Sequence, residues 1–138
     1  MSQYFDMGEE TLWNPSNGAA QLFVRQVRLY EDLLGIPSGI GPMENDECQV
    51  DPAAFETFVT ALLTWRDRTQ HRIIDALAAG FIATVLALAD RARVDVRWPE
   101  PRVGLEGRTD IQVPAPPQQD WAGAARARAR ELDRAMAR

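Results

Sequence analysis

The sequence predicts a mainly α fold: a compact helical domain with a short N-terminal β-hairpin and weak C-terminal strands. Three observations lead there. Apolar residues recur at steps of three and four over most of residues 15–93. Asn14-Pro15 and Asp51-Pro52 repeat one helix-start pattern, in which proline holds its predecessor extended and itself suits the first helical position. Strand-like alternation is confined to short runs on either side of that region. A chain of 138 residues is long enough to bury a core without disulfide staples. Residues 1–93 are expected to form the helical core domain. Residues 94–138 are expected to form an extended, proline-rich segment and an Ala/Arg helix appended to it.

Taking the elements in order, Tyr4-Phe5-Asp6-Met7 and Thr11-Leu12-Trp13 flank Gly8-Glu9-Glu10, which predicts the hairpin. A first helix is predicted over about 15–34. Ala20, Phe23, Val24, Val27, Tyr30 and Leu34 make one stripe on it, and Leu22, Leu29 and Leu33 make a second, so two faces are candidates for burial. Gly35 suits the residue after the helix, and Pro37 stops it. Residues 35–50, with three glycines and two prolines, read as irregular. Asp51-Pro52 opens a second helix with Phe55, Phe58, Val59 and Leu62 on one face. The polar run Asp67–Arg72 reads as a break, with Thr69 as a cap, although one bent helix over 52–93 is an alternative.

The third helix carries Ile74, Leu77, Phe81, Val85, Leu88 and Ala92 on one face and Ile73, Ile82 and Leu86 on others. A helix apolar nearly all round is buried, here as the central core helix or against a second subunit. Gly80 would let another backbone approach closely. Val94–Trp98 alternates like a strand, and Thr109–Val113 is a second weak strand. Pro114-Ala115-Pro116-Pro117 reads as a polyproline linker. From Asp120 the Ala/Arg sequence is helical by propensity, with a thin apolar face of Trp121, Ala125, Leu132 and Met136.

Composition limits the chemistry. All fifteen basic residues are arginine, and His71 and Cys48 are the only residues of their kinds. A His/Cys metal site needs three or four such ligands and a Schiff-base enzyme needs lysine, so no metal and no cofactor is expected. The single cysteine rules out an internal disulfide framework and suits a reducing cytoplasm. No signal peptide is visible at the N-terminus. The charge-free apolar run 76–89 is shorter than the roughly 20 residues a membrane span needs, so no membrane partner is expected. The net charge of −5 is uneven: residues 1–50 hold eight acids and two arginines, whereas residues 117–138 hold three acids and five arginines. An acidic body disfavours nucleic acid and suits a cationic partner. The C-terminal arginines alternate with alanine at step two, which scatters them around a helix axis.

The candidate site residues follow from this layout. Glu44, Asp46 and Glu47, with Asp51 close by, could bind an ammonium group, or one could act as a base; the plain alternative is a wet surface loop. Asp46, Glu47 and His71 are the candidate catalytic groups, His71 as a proton relay or as a brace for the acidic loop. Its plain alternative is a polar residue in an interhelical turn. Arg72 lies beside it. Arg25 and Arg28 could hold a substrate carboxylate or an enolate oxygen; Arg28 is also spaced for an intrahelical pair with Asp32. Trp13 and Tyr30 are either core or groove aromatics. Cys48 fits a small buried hydrophobe better than a nucleophile.

Three stretches, YFDMGEETLWNPSNGAAQLFV, GIPSGIGPMENDECQVD and ALAAGFIATVLALADRA, together resemble a family of small actinobacterial proteins similar to the duramycin- and cinnamycin-type lysinoalanine-forming enzymes. The resemblance runs from about Tyr4 to Arg93. It implies a small, mostly helical homodimer that binds a lanthipeptide precursor and promotes addition of a lysine amine to dehydroalanine. The substrate's own hydroxylated aspartate would serve as the base, so the protein would mainly position the reactants. On that footing Asp46 and Glu47 would attract the ammonium, His71 would brace or relay, and Arg25 or Arg28 would steady the enolate. Trp13 and Tyr30 would line the peptide groove, with Glu44 and Arg72 beside it, and the third helix would form the dimer contact. The competing expectation is a non-catalytic binding or immunity-type module for a cationic peptide or protein.

Overall fold

The computed structural model describes residues 1–100, 104–113 and 120–138. The proline run at 114–117 therefore lies outside the described residues. The fold is mixed α/β rather than mainly α. Four helices take 53 % of the described residues, and two small sheets join them.

The hairpin forms as its pattern predicts. β1 (Tyr4–Met7) pairs antiparallel with β2 (Glu10–Trp13), and Gly8 supplies the positive φ of the tight turn. A third strand was not expected. β3 (Glu47–Gln49) runs parallel to β1, which makes β1 the central strand of an order β2-β1-β3. The 35–50 segment is thus regular at its end, because the pairing partner that organises it lies about forty residues away in sequence.

α1 (Asn17–Leu34) starts two residues later than Asn14-Pro15 suggested. The Ser16 hydroxyl caps it by accepting from the Ala19 N–H, and Gly35 closes it in the left-handed conformation. Ala20, Phe23, Val27 and Tyr30 are buried. The second stripe is not: Leu22, Leu29 and Leu33 are all more than half exposed. Beyond α1 the chain folds onto the start of α2 (Pro52–Arg68). Gly39 has φ +80°, and a Cβ there would stand 2.6 Å from the Asp51 carbonyl oxygen, so only glycine fits. The buried Ser38 fixes this turn. Its N–H and O–H both donate to Glu31 Oε2, at 2.8 and 2.9 Å, and its hydroxyl accepts from the Ile40 N–H.

The break between the second and third helices is real. Thr69–Gln70 forms a two-residue strand, β4, and α3 (Arg72–Arg91) follows with His71 as its cap. β4 pairs in parallel with β5 (Thr109–Ile111), which realises the weaker strand expectation for 109–113. Residues 94–98 form no strand, although their alternation is real: Val94, Val96 and Trp98 pack against the core and Asp95 and Arg97 are exposed. α3 is the most buried helix, but its first turns are open, with Ile73 and Leu77 exposed at 57 % and 75 %. It is long and apolar enough to cross a membrane, with mean hydropathy 1.9, yet half of that stretch is buried inside this fold, as in the core helix of a globular domain.

A continuous chain of rings ties the layers together. Phe5 stacks on Trp13, both meet Phe23 edge-on, Phe23 stacks on Phe81, and Phe81 stacks on Tyr30 at 4.3 Å; Tyr30 then meets Trp65. The chain passes from the sheet through α1 and α3 to α2.

α4 (Trp121–Asp133) is seated along α3 and does not stand off as an appendage. Arg91, at the end of α3, explains the seating. It is 6 % exposed. Its guanidinium donates to Asp133 Oδ1 at 2.7 Å, to the Leu12 carbonyl at 2.7 Å, and to the Asp133 and Met136 carbonyls at 3.0 and 2.7 Å. One buried cation therefore joins α3, β2 and the end of α4. Replacing Arg91 with Ala leaves these acceptors, three of them backbone carbonyls, without their donor, and the expected loss is about 2–3 kcal/mol. Arg91→Lys should recover only part of it, because an ammonium cannot reproduce the planar fork. Urea unfolding of the three proteins checks this; an Ala variant within 1 kcal/mol of wild type, roughly the scale of an ordinary surface pair, would refute it.

Candidate functional site

The acidic loop is a second, smaller hairpin. Glu44 and Glu47 exchange backbone hydrogen bonds at 2.8 and 3.0 Å across Asn45 and Asp46, which both have positive φ. That is the type I′ turn that asparagine and aspartate tolerate. The Asp46 carbonyl accepts from the Tyr4 N–H at 2.8 Å, and Gln3 donates to its side chain at 3.3 Å. The side chains of Glu44, Asp46 and Glu47 are exposed on this turn.

Arg28 is a clamp on the same segment. It pairs with Glu31 at 2.7 Å, not with Asp32, and donates to the Ile40 and Gly41 carbonyls at 3.0 and 3.1 Å. Burial pushes the Glu31 carboxyl up, but the hydrogen bonds from Arg28 and Ser38 outweigh it and hold the group below the usual carboxylate range. Arg25 is exposed on α1. Trp13 and Tyr30 belong to the buried ring chain, 8 % and 7 % exposed. Burial raises the Tyr30 hydroxyl pKa. Cys48 is buried in β3, its thiol donating to the Gly41 carbonyl at 3.0 Å. Burial lifts its pKa to about 11, so it stays a protonated core residue at neutral pH.

His71 is far from the acidic turn. That turn leads into the first residue of α2, and His71 follows the last. The 17 residues of α2 span roughly 25 Å at 1.5 Å per residue. The expected trio of His71, Asp46 and Glu47 is therefore not assembled, and His71 cannot brace the acidic loop. Its Nδ1 accepts instead from the Ile73 N–H at 3.2 Å and caps α3. Arg72 is exposed beside it, and its backbone N–H donates to Gln112 Oε1 at 3.0 Å.

His71 and Arg72 border a different feature. A cavity of about 1020 Å³ opens where the end of α2, the start of α3, β4 and the start of α4 converge. Trp98 and Trp121 stand in its wall with their rings 5.8 Å apart. Each carries a guanidinium: Arg66 lies 4.8 Å from the Trp121 ring centre and Arg126 lies 4.0 Å from that of Trp98. The Trp121 indole N–H donates to Asp67 Oδ1 at 3.3 Å. Arg66 approaches Asp75 Oδ1 at 3.1 Å, though the pair is not aligned as a hydrogen bond. Burial lowers the Arg66 pKa and raises that of Asp75, and the mutual attraction of the pair offsets neither shift fully. Gln70 Oε1 is buried in the lining without a hydrogen-bond partner.

Small residues take part in the lining, Ala79 and Gly80 from α3 and Ala124 and Ala125 from α4. Gly80 was expected to admit another backbone. Among the described residues nothing lies within 4 Å of where its Cβ would be, so what it opens is the cavity itself. Arg66, Asp75, Trp98, Trp121 and Arg126 come from four separate segments, so the only local signal of this site in the sequence is Gly80, a helix-weakening residue inside an apolar helix. Among the described residues no cluster of His, Cys, Asp or Glu is able to hold a metal ion.

A family model described as a family of unknown function (DUF6086) matches residues 1–138, including the C-terminal part that the lysinoalanine resemblance does not cover. No curated protein and no solved structure matches the chain.

The Glu31 clamp sets a pH test. A carboxyl held below its unfolded value stabilises the fold above the unfolded pKa, and that contribution disappears as pH falls through the folded value. Glu31→Gln should cost about 1 kcal/mol at pH 7, with the difference from wild type closing in acid below the normal carboxylate range. Urea unfolding at a series of pH values measures it, and a gap that stays constant with pH would contradict the assignment.

Proposed function

We propose that this chain, which belongs to the family of unknown function DUF6086, is a binding protein that holds a peptide, or a peptide-like segment of a partner protein, in the cavity between α2, α3 and α4. The observation that carries this is Gly80. A glycine inside a long helix costs about 1 kcal/mol relative to alanine, and here no residue of the described structure uses the room it leaves. The room it leaves beside the α3 backbone suits a ligand that approaches that backbone closely. The rest of the lining suits a peptide, since it combines small residues, two tryptophans and several polar groups. Glu44 and Glu47 border a smaller, open hollow of about 340 Å³ that is set apart from this lining, and Trp13 and Tyr30 are core.

A second possibility is that the bound peptide is also modified, as the resemblance implies. The pair Asp75 and Arg66 favours it. A lysine nitrogen would attack the β-carbon of dehydroalanine, and the double-bond electrons would move to the carbonyl oxygen as an enolate. The nitrogen would give up a proton while the α-carbon takes one, with no change of oxidation state. A carboxyl raised by burial can take part in that proton movement, and an adjacent guanidinium can steady the enolate. The substrate's hydroxylated aspartate would remain the base, and Asp46, Glu47 and His71 would have no direct part.

Two experiments follow. Random peptides displayed against the wild-type protein, with counter-selection against Gly80→Leu, should yield sequences that bind only the open cavity. Leucine is a better helix former than glycine and a Cβ at position 80 meets no described neighbour, so the variant should fold, which circular dichroism checks. Recovery of no peptide that distinguishes the two proteins would defeat the binding proposal. For the second possibility, incubation with a dehydrated, cyclised and hydroxylated precursor should remove thiol-reactive dehydroalanine without changing mass. Full retention of that reactivity would eliminate it.

A further inference from the structure

The cavity carries the opposite charge to the body of the protein. Among the described residues its lining holds five arginines against three aspartates, in a chain of net −5. Three of the five arginines are engaged. Arg66 faces Asp75 and lies over Trp121, Arg108 donates to the carbonyls of Gly104 and Asp67, and Arg128 pairs with Glu131 at 2.9 Å. The other two are not neutralised. Arg126 presents its face to Trp98, which orders the guanidinium and leaves its edge N–H donors available. Arg72 contributes only its backbone N–H to the fold, and its exposed side chain has no hydrogen bond or ion pair among the described residues. Such forks match carboxylates in bidentate geometry.

We infer that the segment held in this cavity is acidic: a chain with carboxylate side chains that meet Arg72 and Arg126 while its backbone passes over Gly80. This rests on the peptide-binding proposal above and reverses the cationic partner that the net charge alone suggests. The acidic turn at 44–47 lies at the far end of α2, so its charge stands apart from the cavity. Repulsion by the acidic body elsewhere would confine an acidic ligand to this mouth.

The test uses three labelled decapeptides, of alternating Glu and Ala, Gln and Ala, and Arg and Ala, titrated against the full chain by fluorescence anisotropy. The Glu peptide should bind tightest, and raising the salt should weaken it. Arg72→Gln, which removes no contact of that side chain within the protein, should weaken it about tenfold. Gly80→Leu should abolish binding. The acidic assignment is overturned if the Gln or Arg peptide binds as tightly, if Arg72→Gln has no effect, or if none of the three binds. A neutral or basic peptide recovered by display and blocked by Gly80→Leu would overturn the charge assignment while leaving the binding proposal standing. A Glu peptide bound equally by Gly80→Leu would overturn both.

Discussion

A single buried guanidinium decides how this chain closes. Arg91 lies at the end of the most apolar helix, where an unpaired charge would be prohibitive, and its donors are met by groups from β2 and from the end of α4. The consequence is geometric. To satisfy the arginine, the last helix must lie along α3 and the residues after it must return to the N-terminal hairpin. They do: the Asn14 N–H donates to the Ala137 carbonyl at 2.8 Å. The cavity depends on the same seating, because Trp121 and Arg126 reach it only when α4 is docked. A residue remote from the proposed ligand thus holds one wall of its site.

The two ends of α2 have different work. At its start, the chain from Gly35 to Val50 is fixed by Ser38, Glu31, Arg28 and Gly39, a set of short polar contacts that leaves little room for movement. The three exposed carboxylates there sit on a tight turn closed by two backbone hydrogen bonds between Glu44 and Glu47. At its end, polar groups gather without complete pairing: Asp75 and Arg66 are close but misaligned, and Gln70 Oε1 is buried and unmet. Buried polar groups are nearly always satisfied, and among the described residues the atoms without a hydrogen bond fall in two places, Asp6, Asn14 and Asn17 near the N-terminal hairpin and Gln70 and Asp75 at the cavity.

Much of the fold was legible in sequence. The first hairpin, three helix registers, the break before His71 and the glycine stop at Gly35 are all local signals, set by periodicity and by one or two residues each. What escaped was non-local. β3 pairs with a strand some forty residues earlier, and its Gly- and Pro-rich surroundings hid it. The Asn45-Asp46 turn was readable in principle, since both residues accept positive φ, but its charge drew attention away from its backbone. Arg91 looked like the polar end of a helix, because nothing near it in sequence announces acceptors 42 to 79 residues distant. The site suffered most. Its residues are individually ordinary and become a constellation only when four segments meet, whereas His71, Asp46 and Glu47 were chosen for scarcity and charge and stand apart.

The reach of Arg91 also bears on how the protein is made. Domains tend to fold as their N-terminal parts emerge during synthesis. Here a nascent chain that has emerged only as far as α3 contains the hairpin, the ring chain and the core helix, but its arginine lacks the acceptors at Asp133 and Met136, 42 and 45 residues further on. The hydrogen-bond set of this arginine is therefore complete only when residues from both ends of the chain, Leu12 and Asp133 to Met136, stand around it.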